Sequence, residues 1–297
     1  MLPANPTLRL ACGAALISFA PVFVRLTPVT PTESAFFRTL FGGLMLAAWV
    51  LATRAPVQRR SGMALAALVT AGVMFAADLA VWHRSIWYVG PGLATLLGNF
   101  QVFLLALVGI LFYGERARWE LLLAIPMAVV GLGLIIGFEW GALDEQYRWG
   151  IGFGLMTAVF YAAYILALRR ARAASPSGSI VSDVMIVSFV SAAVLFAGAG
   201  VAGEAVTLPD PRSAWLLAAY ALVAQVVGWL VIASSLPHVP ASRVGLVLLL
   251  QPTLTFVWDV LIFSRPFGLQ ETVGATLAIV AIGLGSRPHG GRSAPQP

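Results

Sequence analysis

The chain contains no lysine: all 18 of its basic residues are arginine. That absence removes P-loop phosphate chemistry and Schiff-base catalysis. Cysteine is reduced to Cys12, and the three histidines, His83, His238 and His289, stand far apart. Disulfides, CxxC redox pairs and HExxH zinc sites are therefore excluded, and neither a metal nor a cofactor is expected. Charge is also scarce, at 10% of 297 residues, whereas 60% are hydrophobic and the mean hydropathy is +0.91. A soluble globular fold has nowhere to hide that much apolar surface, so the solvent for this chain is a bilayer. The net charge of +6 would suit a nucleic acid, but the arginines fall between apolar runs and build no basic face interleaved with aromatics. The charge reads as membrane topology, with no nucleic-acid partner.

A membrane helix needs about 20 apolar residues. Punctuation by Pro, Gly and Arg divides the chain into ten candidates, at 8–26, 33–53, 62–87, 91–113, 118–138, 149–170, 181–203, 214–236, 242–263 and 270–287. The first run, behind Arg9, has the outline of a secretory signal, but similar runs follow it and it counts as a membrane helix. Arginine placement tests the parse, because cytoplasmic loops are enriched in it. Arg9, Arg54, Arg59, Arg60, Arg116, Arg118, Arg169, Arg170, Arg172, Arg243, Arg287 and Arg292 fall on one side. Arg25, Arg84, Arg148, Arg212 and Arg265 fall on the other, together with Glu139, Asp144, Glu145, Glu204 and Asp210. Twelve against five places both termini in the cytoplasm, and the tail at 288–297 is expected to be disordered.

The second half echoes the first at a separation of 150 residues (251 − 101 = 150): Val81 meets Val231, Ser85 meets Ser235, Gln101 meets Gln251 and Gly133 meets Gly283. The expectation is two five-helix repeats, 1–138 and 149–287. Five is odd, so the second copy enters the membrane inverted, and inverted repeats place a site near the midplane where rocking opens it to alternate sides. The fold expected is thus an all-α polytopic membrane protein of ten transmembrane helices.

Three local patterns sharpen this. The first helix reads ISFAPVFVRL, the fourth ends in LFYGERA and the ninth contains LLLQPTLTFVWDVLIF. Together they resemble the EamA branch of the drug/metabolite transporter superfamily, from about Leu8 to Gly285. Each repeat keeps half of the pattern: Val102 stands opposite Pro252, and Ser264-Arg265 opposite Gly114-Glu115. The resemblance implies export of amino acids and related metabolites, including aromatic amino acids, from the bacterial inner membrane.

A charge at a helix centre costs about 2.5–3.5 kcal/mol on insertion scales, so Arg38, Asp78 and Asp259 call for explanation. Arg38 with Asp78 suits either charge or proton coupling or a buried structural pair; Asp259, near Arg265, suits a structural role. Helical spacing puts Phe75, Asp78 and Trp82 on one stripe of the third helix, with Gln225 and Trp229 on the eighth, Thr157, Tyr161 and Tyr164 on the sixth, and Thr95 and Asn99 on the fourth. Trp87 and Tyr88, at a helix end, fit the interfacial belt. His83 is either a substrate contact, a pH-sensitive gate or a satisfied interfacial residue. Gln101 lies about 200° around the helix from Asn99 and shares one role, either packing or symmetric substrate contact, with Gln251. The glycines of GLGLIIG, 131–137, and the Gly150/Gly154 spacing read as helix packing rather than a nucleotide loop.

The expected protein is a secondary transporter, not an enzyme, which exports small amphipathic metabolites by alternating access. Trp82, Tyr161, Tyr164 and Trp229 would hold the apolar part, and His83, Asn99, Gln225 and Gln251 the polar head. Its partners are a small-molecule substrate and the lipid bilayer, and a monomer is compatible with this. The rivals are a multidrug or nucleotide-sugar carrier of the same fold, which calls for phosphate-binding cations in the cavity, an integral-membrane enzyme acting on a lipid, and a structural scaffold.

Overall fold

The computed structural model describes residues 5–54, 60–113, 119–136, 144–175, 178–235, 239, 247–248, 250–264 and 268–285. His238, His289, Arg265, the Gly114-Glu115 pair and the tail at 288–297 lie outside the described residues.

Proline and short polar caps decide where the helices start. Asn5 caps α1 (Pro6–Ile17) and Thr30 and Glu33 form a reciprocal capping box on α3 (Pro31–Thr53). Ser61 caps α4 (Gly62–Val89), Asp144 caps α8 (Glu145–Ala174), Ser179 caps α9 (Ile180–Ala202) and Asp210 caps α10 (Pro211–Tyr220). Hydrogen bonds from Ser213 and from the Arg212 amide hold the exposed Asp210 carboxyl below its ordinary range.

Proline and glycine also decide where helices break. Pro21 has no N–H to return to Ile17, so the first segment parts at Ser18–Phe19 and resumes as α2 (Ala20–Leu26). The groups freed there are taken up by α12 (Leu250–Phe263): the Thr255 hydroxyl donates to the Ser18 carbonyl at 3.0 Å and the Trp258 indole donates to the Ser18 hydroxyl at 3.0 Å. Gly90, at φ 83°, turns the chain directly into α5 (Pro91–Gly98). The fourth segment breaks again at Asn99–Phe100 before α6 (Gln101–Tyr113). α7 is Trp119–Ile136 and α13 is Leu269–Gly285. The eighth segment is continuous but not uniform: α10 runs through a π-helix, Ala221–Gly228, into α11 (Trp229–Ser235).

These pieces form ten helical segments among the described residues, close to the spans read from the sequence, and six of them are long and apolar enough by themselves to cross a membrane. The main packing partners come from opposite halves of the chain: α4 on α8, α7 on α13, α3 on α9, and α1 on α11. Lipid tails are as apolar as leucine, so close approach of small residues drives this association. A Cβ on Gly150 would lie 2.6 Å from the Tyr88 side chain, and one on Gly154 would lie 2.6 Å from Leu97. The Ser85 hydroxyl exploits the same contact by donating to the Gly150 carbonyl at 2.8 Å. A Cβ on Gly131 would lie 2.7 Å from the Gly274 carbonyl, so this glycine lets α7 and α13 approach closely.

Polar clasps join the halves at both ends of the α3–α9 pair. At one end the buried Asp183 carboxylate meets Arg60 at 2.6 Å and Arg172 at 2.8 Å. At the other, Glu33 accepts from the Thr207 amide at 3.0 Å and the Thr207 hydroxyl at 2.7 Å, while Arg84 donates to Glu204 and to Thr32, both at 2.9 Å. Exposed tryptophans mark the same two ends: Trp87, Trp149 and Trp215 beside Arg84, and Trp49 and Trp119 at the far side.

Candidate functional site

Between the two clasps α3, α4, α8 and the eighth segment enclose a set of aromatic rings. Phe75 stacks on Tyr164 with centroids 4.6 Å apart, and Trp229 stands edge-on to Tyr164 at 5.1 Å, Phe75 at 5.8 Å and Tyr161 at 6.2 Å. Tyr161 and Tyr164 are themselves stacked at 6.2 Å. Each ring pair is worth about 0.5–1.5 kcal/mol beyond the area it buries, so the rings support one another.

Arg38 reaches this box from α3. Its guanidinium carbon lies 5.5 Å from the Phe75 ring centre and 4.9 Å from that of Tyr220. Its Nε donates to Gln225 Oε1 at 3.1 Å and its NH1 group donates to the Tyr220 hydroxyl at 2.8 Å. Gln225 passes the connection on, donating to the Ser188 hydroxyl at 2.9 Å. The Tyr220 hydroxyl lies 3.3 Å from His83 Nε2, and His83 Nδ1 lies 2.7 Å from the Leu79 carbonyl one turn back. A neutral imidazole with its proton on Nδ1 satisfies every partner: it donates to Leu79 and accepts from Tyr220.

Asp78 stands apart from that network. It is 6% exposed and its Oδ1 has no hydrogen-bond partner. Among the described residues Arg38 forms no ion pair, so the structural Arg38–Asp78 pair is not formed. Arg38 and a carboxyl group are thus buried in one aromatic environment without pairing. Three further buried atoms around the box lack partners: Trp229 Nε1, Gln101 Oε1 and Gln251 Nε2. The two glutamines related by the sequence repeat converge, both facing the Tyr161 hydroxyl.

The structure therefore divides the sequence candidates. Asp78, Tyr161, Tyr164, Trp229 and Gln251 surround the box with unspent polar atoms or ring faces. Gln101 joins them although the sequence reading left its role open. His83 and Gln225 are bonded to the Arg38 network and have no ring nitrogen or amide atom left over. Asn99 donates to the Thr95 carbonyl at 2.8 Å, closing the helix break above Gln101. Trp82 shares a helix with Asp78, meets the His83 ring edge-on at 5.2 Å and packs against the buried cluster that contains Phe75, Tyr164 and Trp229. Asp259, 2% exposed, accepts from the Gly92 amide at 3.1 Å and so caps α5 across the interface.

Tyr220 was missed by sequence reasoning, and the π-helix is the reason. At 3.6 residues per turn Tyr220 and Gln225 point apart, whereas the i→i+5 bonding of a π-helix brings them to the same face, where both reach Arg38. No 3.6-residue stripe could have paired them.

The fold, the buried polar centre and the interleaved halves define a polytopic helical membrane protein. The chain belongs to the EamA-like transporter family, whose model matches it twice, at residues 7–137 and 148–287. It is 25% identical over 193 residues to the uncharacterized transporter YojE of Bacillus subtilis strain 168, a match that covers 64% of this chain and 61% of that protein. It is 23% identical over 240 residues to the uncharacterized transporter PA0485 of Pseudomonas aeruginosa, covering 78% and 75%. A solved structure titled only as the crystal structure of a protein shares the fold, with a TM-score of 0.64 at 16% identity over 94% of this chain and 95% of the other. Membrane transport of a small molecule, in a lipid environment, follows from the family.

Proposed function

We propose that the protein exports zwitterionic amino acids with apolar or aromatic side chains across the bacterial inner membrane, both termini lying in the cytoplasm. The observation that carries this reading is the separation of Asp78 from Arg38 within one aromatic box. A dipolar substrate adds no net charge to a low-dielectric site. Its ammonium group finds the unspent Asp78 oxygen, its carboxylate finds the Trp229 and Gln251 donors on a face already made positive by Arg38, and its side chain finds the rings of Phe75, Tyr161 and Tyr164. An amine or an acid lacking the second group would leave one charge uncompensated, at a cost of several kcal/mol. Arg38 already gives its Nε to Gln225 and one NH1 hydrogen to Tyr220, so the phosphates of a nucleotide-sugar substrate would meet a single, partly spent guanidinium.

Two inverted five-helix repeats would deliver this substrate by rocking around the box, the clasps at Asp183 and Glu33 closing alternate ends. The test is counterflow in proteoliposomes, preloaded with unlabelled amino acids and challenged with labelled phenylalanine. Exchange that phenylalanine competes away, and that phenethylamine and phenylpropionate do not, is the expected result. Exchange driven equally by the singly charged analogues sinks the zwitterion reading, and tight liposomes with folded protein and no exchange sink the amino-acid reading. An imposed pH gradient in the same assay separates proton antiport at Asp78 from uncoupled flux.

A further inference from the structure

Among the described residues, Arg25 and Arg212 at the Arg84 end of the molecule have no side-chain partner. Arg84 itself is bonded to Glu204, Thr32 and the Ala80 carbonyl. Arg25, in the last turn of α2, and Arg212, in the first turn of α10, are both exposed, and no hydrogen bond or ion pair of either side chain is present among the described residues. Arg212 occupies a helix N-terminus, where a cation is disfavoured by the helix dipole. The neighbouring Asp210 does not compensate it, because its carboxylate is turned onto the Arg212 and Ser213 amides.

The two arginines nevertheless come from distant parts of the sequence to line one cavity of about 360 Å³, together with Leu26, Thr27, Pro28 and Trp87. Trp87 is 44% exposed and belongs to the tryptophans that mark this end of the bundle. The cavity therefore has two unneutralised guanidinium groups, an apolar floor and an amphipathic indole at the depth where lipid headgroups meet acyl chains. Guanidinium pairs suit phosphate by charge and by fork geometry, and the apolar residues suit the first methylenes below it. A soluble anion would use the arginines and leave the apolar wall idle.

We propose that Arg25, Arg212 and Trp87 form a binding site for the phosphate headgroup of an anionic phospholipid. The site is separate from the aromatic box and does not depend on what the box carries. The experiment uses the full chain in nanodiscs of phosphatidylcholine containing a minority of phosphatidylglycerol, with retained lipids counted by native mass spectrometry after release. The expected result is enrichment of phosphatidylglycerol on the wild type, which falls about fivefold for each arginine replaced in R25Q and R212Q, and further in the double variant. R25K/R212K keeps most of the enrichment as charge without the fork, and W87A loses part of it. Retained phosphatidylcholine and the elution profile stay unchanged, since neither arginine makes a bond that holds the fold. Equal enrichment in wild type and double variant overturns the proposal. Loss of the bound lipid to excess glycerol 3-phosphate overturns the lipid assignment in favour of a soluble phosphate ester.

Discussion

Tyr220 joins two otherwise separate polar groups through one oxygen, accepting from Arg38 and facing His83 Nε2. Tyr220→Phe keeps the ring under the guanidinium and removes that oxygen, leaving a buried cationic donor short of a partner. The expected loss is about 1–3 kcal/mol, read as a lower melting temperature in detergent. Asp78→Asn has the opposite signature. The Asp78 Oδ1 atom holds nothing in the resting structure, so the amide fits and the melting temperature does not fall, while labelled phenylalanine exchange drops about ten- to a hundredfold with loss of a charge-assisted contact. A variant that melts early as well as failing to exchange would put Asp78 among the structural residues. Residue type and depth made Asp78, Tyr161, Tyr164, Trp229 and Gln251 visible in the sequence. Partnership was not visible: nothing in the order of residues says that His83 spends its nitrogens on Leu79 and Tyr220.

Among the elements, the clasps separate buried from exposed electrostatics. Asp183 serves two arginines at 5% side-chain exposure, so Asp183→Asn leaves two cations unmatched, at a cost of about 3–5 kcal/mol. Glu204→Gln breaks a pair whose partners are 28% and 40% exposed and costs under about 1 kcal/mol. Thermal unfolding of both variants beside the wild type checks the ordering, and equal shifts would contradict it. Helix extents were legible because Pro31, Ser61, Pro91, Ser179 and Pro211 punctuate the apolar runs. The interruptions inside spans were not: the break at Asn99–Phe100 and the π-helix are features that a 3.6-residue period does not encode.

For the whole molecule, the arginine count gives a topology that reporters can read. A fluorescent protein at either terminus is expected to mature in the cytoplasm, and a periplasm-active phosphatase inserted after Gly203 to report activity. The reverse pattern would exchange the ends assigned to the Arg60 and Arg84 clasps. In the sequence the expected duplication rests on pairs 150 residues apart, such as Gln101 with Gln251, and several helix caps lie at nearly the same spacing. The caps of the second and third spans repeat at 149 in the seventh and eighth, with Thr30 matched by Ser179 (179 − 30 = 149) and Ser61 by Asp210 (210 − 61 = 149). Later residues repeat at 150, with Ser85 matched by Ser235 and Gln101 by Gln251 (251 − 101 = 150).

The interval in which the count rises by one contains the π-helix, the element whose wider turn absorbs one residue more than an α-helix does. Within a duplicated ancestor, a single added codon at that place would have broken the likeness of the halves where it mattered, swinging Tyr220 and Gln225 together onto Arg38 in one copy and leaving the other without such a grip. Deleting Ala224 should undo that step, restoring an ordinary turn, a folded protein and an arginine with only one of its two partners.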